Sequence, residues 1–251
     1  MFDYLWINIK TIFRIPLSVF FSVAYPILMM IIMMVSYGNP DIGEGYQLID
    51  KYLMVAIGMG ILPLTLISFP IWIAADIENN SLKRMIYFKV KFRRIIISEV
   101  LAHLLVSVVC IVIDIFFAKI LYGLRIPQIS YLSAFFIQYL IAVAVCILLG
   151  AVLAILISNT QIIMPLGLFI MFALYMLCGA FVSYDQLPER IHKISGCIPM
   201  KYAMNNFIEI WMQKKHFDMD FIVLSVVYTI VLLILFGIVY KKKYYHWKVN
   251  I

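Results

Sequence analysis

Six stretches of the chain are apolar almost without interruption, at 17–36, 52–75, 96–122, 131–157, 161–182 and 221–240. A helix needs about 20 mainly apolar residues, rising about 1.5 Å each, to cross about 30 Å of hydrocarbon. Each stretch meets that length, which predicts an all-α membrane protein with six transmembrane helices. Before the first span, Phe2, Leu5, Trp6, Ile9, Ile12 and Phe13 recur on one helical face among Asp3, Lys10 and Arg14. That pattern predicts an interfacial helix over 1–16, turned into the first span at Pro16. Between the second and third spans lies the longest charged interval, 76–95. Between the fifth and sixth lies 183–220, where Leu187, Ile191, Ile194 and Ile198 recur at helical spacing. Two short helices dipping into or lying on the outer leaflet account for that segment, and a small extracellular cap is the other reading.

Composition agrees with a membrane chain and charge orients it. With 65% hydrophobic and 13% charged residues, a soluble domain is excluded, and 1–251 reads as one membrane domain. Lys83, Arg84, Lys89, Lys91, Arg93 and Arg94 crowd the charged interval, and Lys10, Arg14, Lys241, Lys242, Lys243 and Lys248 lie near the ends. Placing this set in the cytoplasm leaves Lys51, Arg125 and five dispersed basic residues outside, so both termini are expected inside. The net charge of +7 is thereby a topology signal, with no basic stripe for nucleic acid and lipid as the natural surround. The first apolar run is longer than a signal-peptide core and no small-residue cleavage site follows it, so it is expected to be retained.

The polar residues inside the spans are few. His103, Ser107, Cys110 and Asp114 stack along one face of the third span. A buried carboxylate must find protein or water, so the stripe is either part of a polar pathway or an interhelical hydrogen-bond cluster. Gly58, Gly60, Pro63 and Pro70 weaken the second span, which is expected to be bent and buried, against a cavity or by close packing. Ala142, Cys146, Gly150 and Ala154 make a small-residue packing stripe on the fourth span. Cys178 and Cys197 are either a disulfide or separate packing residues. His192 and His216 lack partners at metal-motif spacing, and no metal site is expected. The sequence has no Gly-x-x-x-x-Gly-Lys, so ATP is expected on another chain.

Gly179-Ala180-Phe181, Leu187-Pro188, Ile191, Ile194 and Pro199-Met200-Lys201-Tyr202-Ala203 follow one another in an order and spacing that resemble the permease subunits of type-2 ABC exporters. With the amino-terminal helix, six spans and one basic loop after the second span, the resemblance covers essentially the whole chain. It implies that Leu187-Pro188 and Pro199 through Tyr202 open re-entrant helices after Gly179. It also implies that 76–95 holds a coupling helix docking on a separate ATPase, with Ser81, Leu82, Lys83, Arg84, Met85, Tyr87, Phe88 and Lys91 at the contact. Asn79, Asn80 and Ser81 are each competent caps for that helix. The implied partners are an ABC ATPase subunit carrying ATP and Mg, and a second permease, identical or related, in a bacterial cytoplasmic membrane. The path would run where the second and fifth spans meet that second permease. The implied activity is export of a hydrophobic or amphipathic compound, such as a drug, antimicrobial peptide, lipid or glycan. The alternative is an ion-coupled secondary transporter using His103 and Asp114. A membrane enzyme acting on lipid would need clustered acids or His near the interface, and spacing shows none.

Overall fold

A computed structural model describes residues 2–81, 84, 87, 92–181 and 184–244. Helix α1, Phe2–Ile12, precedes α2, Pro16–Tyr37. A two-stranded antiparallel hairpin, β1 Asp41–Gly43 and β2 Tyr46–Gln47, leads into α3, Leu48–Glu78. Then come α4 Phe92–Tyr122, α5 Ile129–Ile157 and α6 Thr160–Leu177. The short helices α7 Glu189–Ser195, α8 Pro199–Asn205 and α9 Ile208–Trp211 connect α6 to α10, Met219–Tyr244. Among the described residues, six helices are long and apolar enough to cross a membrane: α2 through α6 and α10.

Helix α3 is the axis of the bundle. Of its most apolar stretch 94% is buried, against 11% for α10, and α2, α4, α5, α6, α8 and α9 all pack on it. Lipid tails are as apolar as leucine, so close packing and interhelical hydrogen bonds hold the helices together. The small-residue stripe of α5 is buried against α3 as its spacing predicts, with Gly150 beside Thr65 and Pro70.

The prolines explain how α3 is held. Proline has no N–H, so it leaves the carbonyl four residues earlier without its helical donor. Pro63 thereby opens the Met59 carbonyl, and the buried Tyr175 hydroxyl of α6 donates to it at 2.6 Å. Pro70 opens the Leu66 carbonyl, which lies directly against Gly167 of α6. Pro26 opens the Ser22 carbonyl, which lies against Gly60 of α3. Both α2 and α3 widen into a π-helical turn beside these prolines, at Phe20–Ala24 and Leu64–Ser68. Ser18 Oγ donates across from α2 to the Pro63 carbonyl at 3.3 Å. Tyr139 of α5 reaches both the Met54 carbonyl, 3.1 Å, and the Ala203 carbonyl, 2.8 Å. The latter is open because the Phe207 N–H turns back to Tyr202 instead.

Two elements differ from their expected form. The apolar residues of α1 divide between two sides: Leu5, Ile9 and Ile12 pack on α4 around Ala102, Val106 and Cys110, while Trp6, Ile7 and Phe13 face outward. Asn8 sits on the inner side and donates to Ser98 Oγ at 3.3 Å. Helix α6 ends at Leu177, short of 182, because Gly179 stands at φ +77. The Ala180 N–H bonds back to Tyr175 and that of Gly179 to Met176, a Schellman ending. A Cβ at Gly179 would also stand 3.0 Å from the Tyr184 backbone, so both conformation and space call for glycine.

Candidate functional site

The α4 stripe is wholly buried. His103, Ser107, Cys110 and Asp114 all face inward, and Glu99, one turn before His103, extends the same face. The His103 ring bridges α4 and the widened turn of α3. Its Nδ1 lies 3.1 Å from the Glu99 carbonyl and its Nε2 3.3 Å from Ser68 Oγ, while Phe69 meets the ring edge-on. Nδ1 therefore carries the hydrogen when Ser68 donates to Nε2. Ser107 Oγ donates to the Leu104 carbonyl at 2.8 Å.

The carboxylates of this stripe are differently placed. Glu99 Oε1 stands 3.3 Å from His103 Nδ1, yet among the described residues neither Glu99 oxygen accepts a hydrogen bond. Asp76 of α3 is close enough for its charge to act on Glu99, and its Oδ2 is also unbonded. Asp114 accepts nothing at either oxygen, and the hydroxyl of Ser22 nearby is likewise unbonded. A Cβ added at Gly60 would stand 2.8 Å from the Ser22 carbonyl and 3.7 Å from Asp114 Oδ2. The two acid groups form at opposite ends of one helical face. Sequence spacing hid the first because Asp76 comes from the preceding helix, far from Glu99 along the chain. The group of Asp76, Glu99 and His103 is the clustered acid-and-imidazole arrangement that spacing did not reveal, but among the described residues no set of side chains could hold a metal ion.

The charged interval begins where α3 ends. Asn80 stands at φ +52 and its carbonyl accepts the Arg84 N–H at 3.1 Å, so of the three competent residues Asn80 caps the next helical turn. Ser81, Arg84 and Tyr87 are helical. Arg84 folds back on the Asn79 carbonyl and Ser81 Oγ, while the Tyr87 side chain is 81% exposed. Leu82, Lys83, Met85, Phe88 and Lys91 lie outside the described residues. Glu78, the last residue of α3, accepts from the Thr160 N–H at 3.0 Å and the Thr160 hydroxyl at 2.7 Å. That contact joins the start of the interval to the start of α6.

The connection between α6 and α10 is packed into the bundle. Pro199 begins α8, whose Met200 and Met204 side chains lie against Gly58, ten residues into α3. Pro188 caps α7, and the half-buried Leu187 closes the preceding turn on the Tyr184 carbonyl. The Tyr202 hydroxyl donates to the Gly196 carbonyl at 3.1 Å, and Lys201 lies over the rings of Tyr184 and Tyr202. Burial lowers the Lys201 amine from its usual range. Asp50 has the charge of a loop residue, but it is buried and accepts from Trp211 Nε1 at 3.0 Å and the Gln47 N–H at 2.8 Å. Cys178 is buried and Cys197 exposed, and both are free thiols. His216 stacks on Tyr131 at 4.0 Å and His192 meets Tyr184 edge-on.

Beside the end of α6, a cleft is lined by Met33, Leu48, Lys51, Tyr52, Val55, Phe181 and Asn205, among others. It lies between α2, the beginning of α3 and the end of α6. Leu48, Tyr52 and Val55 of α3 reach this cleft although most of that helix is buried.

No curated protein and no solved structure matches the chain. A family profile described as ABC-2 type transporter does match, over residues 4–212, from α1 through the end of α9. Six apolar helices, one of them the proline-rich axis, and a family match over most of its length make this chain an integral membrane protein of the ABC-2 type transporter family, a permease subunit of an ABC transporter.

Proposed function

We propose that the chain is the transmembrane subunit of an ATP-driven exporter, moving a hydrophobic or amphipathic compound out of a bacterial cell. ATP and Mg are held by a separate ATPase subunit that docks on the segment after Glu78, and a second permease completes the path. The family match is the observation that carries this reading. The absence of a phosphate-binding Gly-x-x-x-x-Gly-Lys from this sequence supports placing ATP on the partner. The excess of basic residues in the charged interval supports a cytoplasmic position for it and for both termini. Exposed Trp6, Ile7 and Phe13 suit α1 to the inner interface, where an aromatic and cationic face meets lipid headgroups. Met200 and Met204 reach Gly58 about 15 Å along α3 from its first residue, which suits a re-entrant position for α8.

The path in this reading lies along the α2 and α6 surface, where the cleft opens toward the second permease. The cleft's lining sets Met33, Leu48, Tyr52, Val55 and Phe181 beside Lys51 and Asn205, which suits an amphipathic compound. The test is co-purification of this chain with an ATPase, followed by ATP hydrolysis in the reconstituted complex. Leu82→Asp and Tyr87→Asp are expected to abolish co-purification or hydrolysis-linked transport while the subunit remains folded. Normal transport in both variants would refute the docking assignment.

The unbonded Asp114 favours a second reading, ion-coupled transport through the α4 stripe. Its signature is transport that collapses with the ion gradient and persists without ATP, the reverse of what an ATP-driven exporter shows.

A further inference from the structure

Helix α6 runs antiparallel to α3 and touches its backbone or terminal side chain at three points in antiparallel order: Thr160 on Glu78, Gly167 on Leu66, and Tyr175 on Met59. The first contact differs in kind from the others. Glu78 is exposed, and exposed hydrogen bonds and ion contacts contribute about 1 kcal/mol or less to stability. Its placement is more telling. The first N–H groups of a helix have no internal acceptor. In α6, Asn159 Oδ1 accepts those of Gln161 and Ile162, and the Asn159 carbonyl accepts that of Ile163. The Thr160 N–H is taken by Glu78, on the residue where α3 gives way to the charged segment.

The first turn of α6 is also weakly tied to the rest of the helix. Pro165 has no N–H to return to the Gln161 carbonyl, so that turn lacks one of its helical bonds. Two residues later, Gly167 lies so close to the Leu66 carbonyl that no side chain fits between. We infer that Glu78 is a positioning residue that carries displacement of the segment after α3 into α6, with the Gly167 contact as the pivot. The distances along α6 from the pivot to Thr160 and to Tyr175 are similar, about 10 and 12 Å at 1.5 Å per residue. A pull at Thr160 therefore tilts the far end of α6 through a comparable distance, next to the cleft. This inference rests on the ATP-driven reading above.

The test uses the reconstituted complex with its ATPase partner. Cys197, the exposed thiol, is replaced by Ser, and Gln161→Cys is introduced beside Thr160 as the site for a water-soluble maleimide. ATP with vanadate is expected to change the alkylation rate at this site in the parent. Glu78→Ala is expected to abolish that change while ATPase co-purification and ATP hydrolysis persist. Thr160→Val, which removes only the hydroxyl bond, is expected to weaken the change, and Thr160→Ser to preserve it. Merely structural roles would lower complex yield without uncoupling hydrolysis from alkylation. An ATP-dependent change that survives in both Glu78→Ala and Thr160→Val overturns the inference and leaves the ATP-driven reading intact. A parent complex with no ATP-dependent change overturns both.

Discussion

Tyr175→Phe removes one oxygen from the centre of the bundle, and its cost depends on a proline in another helix. The Tyr175 hydroxyl donates to the Met59 carbonyl at 2.6 Å, and that carbonyl has no helical donor because position 63 is proline. Interhelical hydrogen bonds in membranes average about 0.6 kcal/mol and reach about 1.7 kcal/mol. A buried carbonyl left with no donor costs about 1–3 kcal/mol. The expected loss is therefore near the top of the membrane range, about 1–2 kcal/mol. In a Pro63→Ala background residue 63 regains an N–H that can return to Met59, so Tyr175→Phe is expected to cost little there. Reversible unfolding in mixed micelles, measured for both single variants and the double, gives the coupling energy directly. Additivity within about 0.5 kcal/mol would show that the two groups do not share the carbonyl, and the account of α3 would fail.

The glycines make an ordered series. Gly150→Ala and Gly167→Ala press a methyl into the Thr65 and Leu66 carbonyls and are expected to cost about 1–3 kcal/mol each. Gly58→Ala meets only the flexible Met204 and Met200 side chains and is expected to cost less, while Gly237→Ala, with open space around it, should stay within about 0.5 kcal/mol of the parent. Thermal unfolding in detergent ranks the four, and equal losses at 58 and 167 would contradict the backbone contact. At Asp218 burial pushes the carboxyl up, but hydrogen bonds from Lys215, the Phe221 N–H and Asn206, with the Lys215 charge, bring it below its usual value of 3.8. A depressed carboxyl stabilises the fold above its unfolded value, and that stabilisation is lost as pH falls through the depressed one. Asp218→Asn should therefore flatten the acid limb of the stability curve below about pH 4 and lower stability at neutral pH, as read from midpoints across a pH series.

The six spans were legible because apolar length is a one-dimensional signal. Their ends were not, because caps and partners set them. Helix α3 starts at Leu48, four residues before the apolar run, since Asp50 bonds back to the Gln47 N–H and across to Trp211. Charge alone places Asp50 in a loop. Periodicity put His103, Ser107, Cys110 and Asp114 on one face, which is buried, but it did not extend that face to Glu99, one turn earlier in the same apolar run. The density of proline and glycine in α3 pointed to a bent, buried span. The identity of the groups that meet its freed carbonyls lies on other helices, and no local pattern holds it. The contact between Glu78 and Thr160 joins residues 82 positions apart and has no sequence signature.

These contacts bear on how a helix bundle in lipid can move without losing its backbone hydrogen bonds. An unbroken α3 would satisfy every carbonyl internally and be indifferent to its neighbours. Instead Met59 depends on Tyr175 of α6, Ala203 of α8 depends on Tyr139 of α5, and the Leu66 carbonyl is crowded by Gly167. A continuous slide of α6 would carry Tyr175 off Met59 and press side chains next to Gly167 into the Leu66 backbone at the same time. Tilting about Gly167 avoids the second penalty and incurs only the first, about 1–2 kcal/mol. In the ATP-driven reading proposed above that barrier is small enough to cross, and it is large enough to keep the resting position of α6 well defined. Tyr175→Phe should accordingly loosen α6 as well as destabilise the bundle. Basal ATP hydrolysis in the complex should rise, because the restraint that Glu78 works against would already be gone.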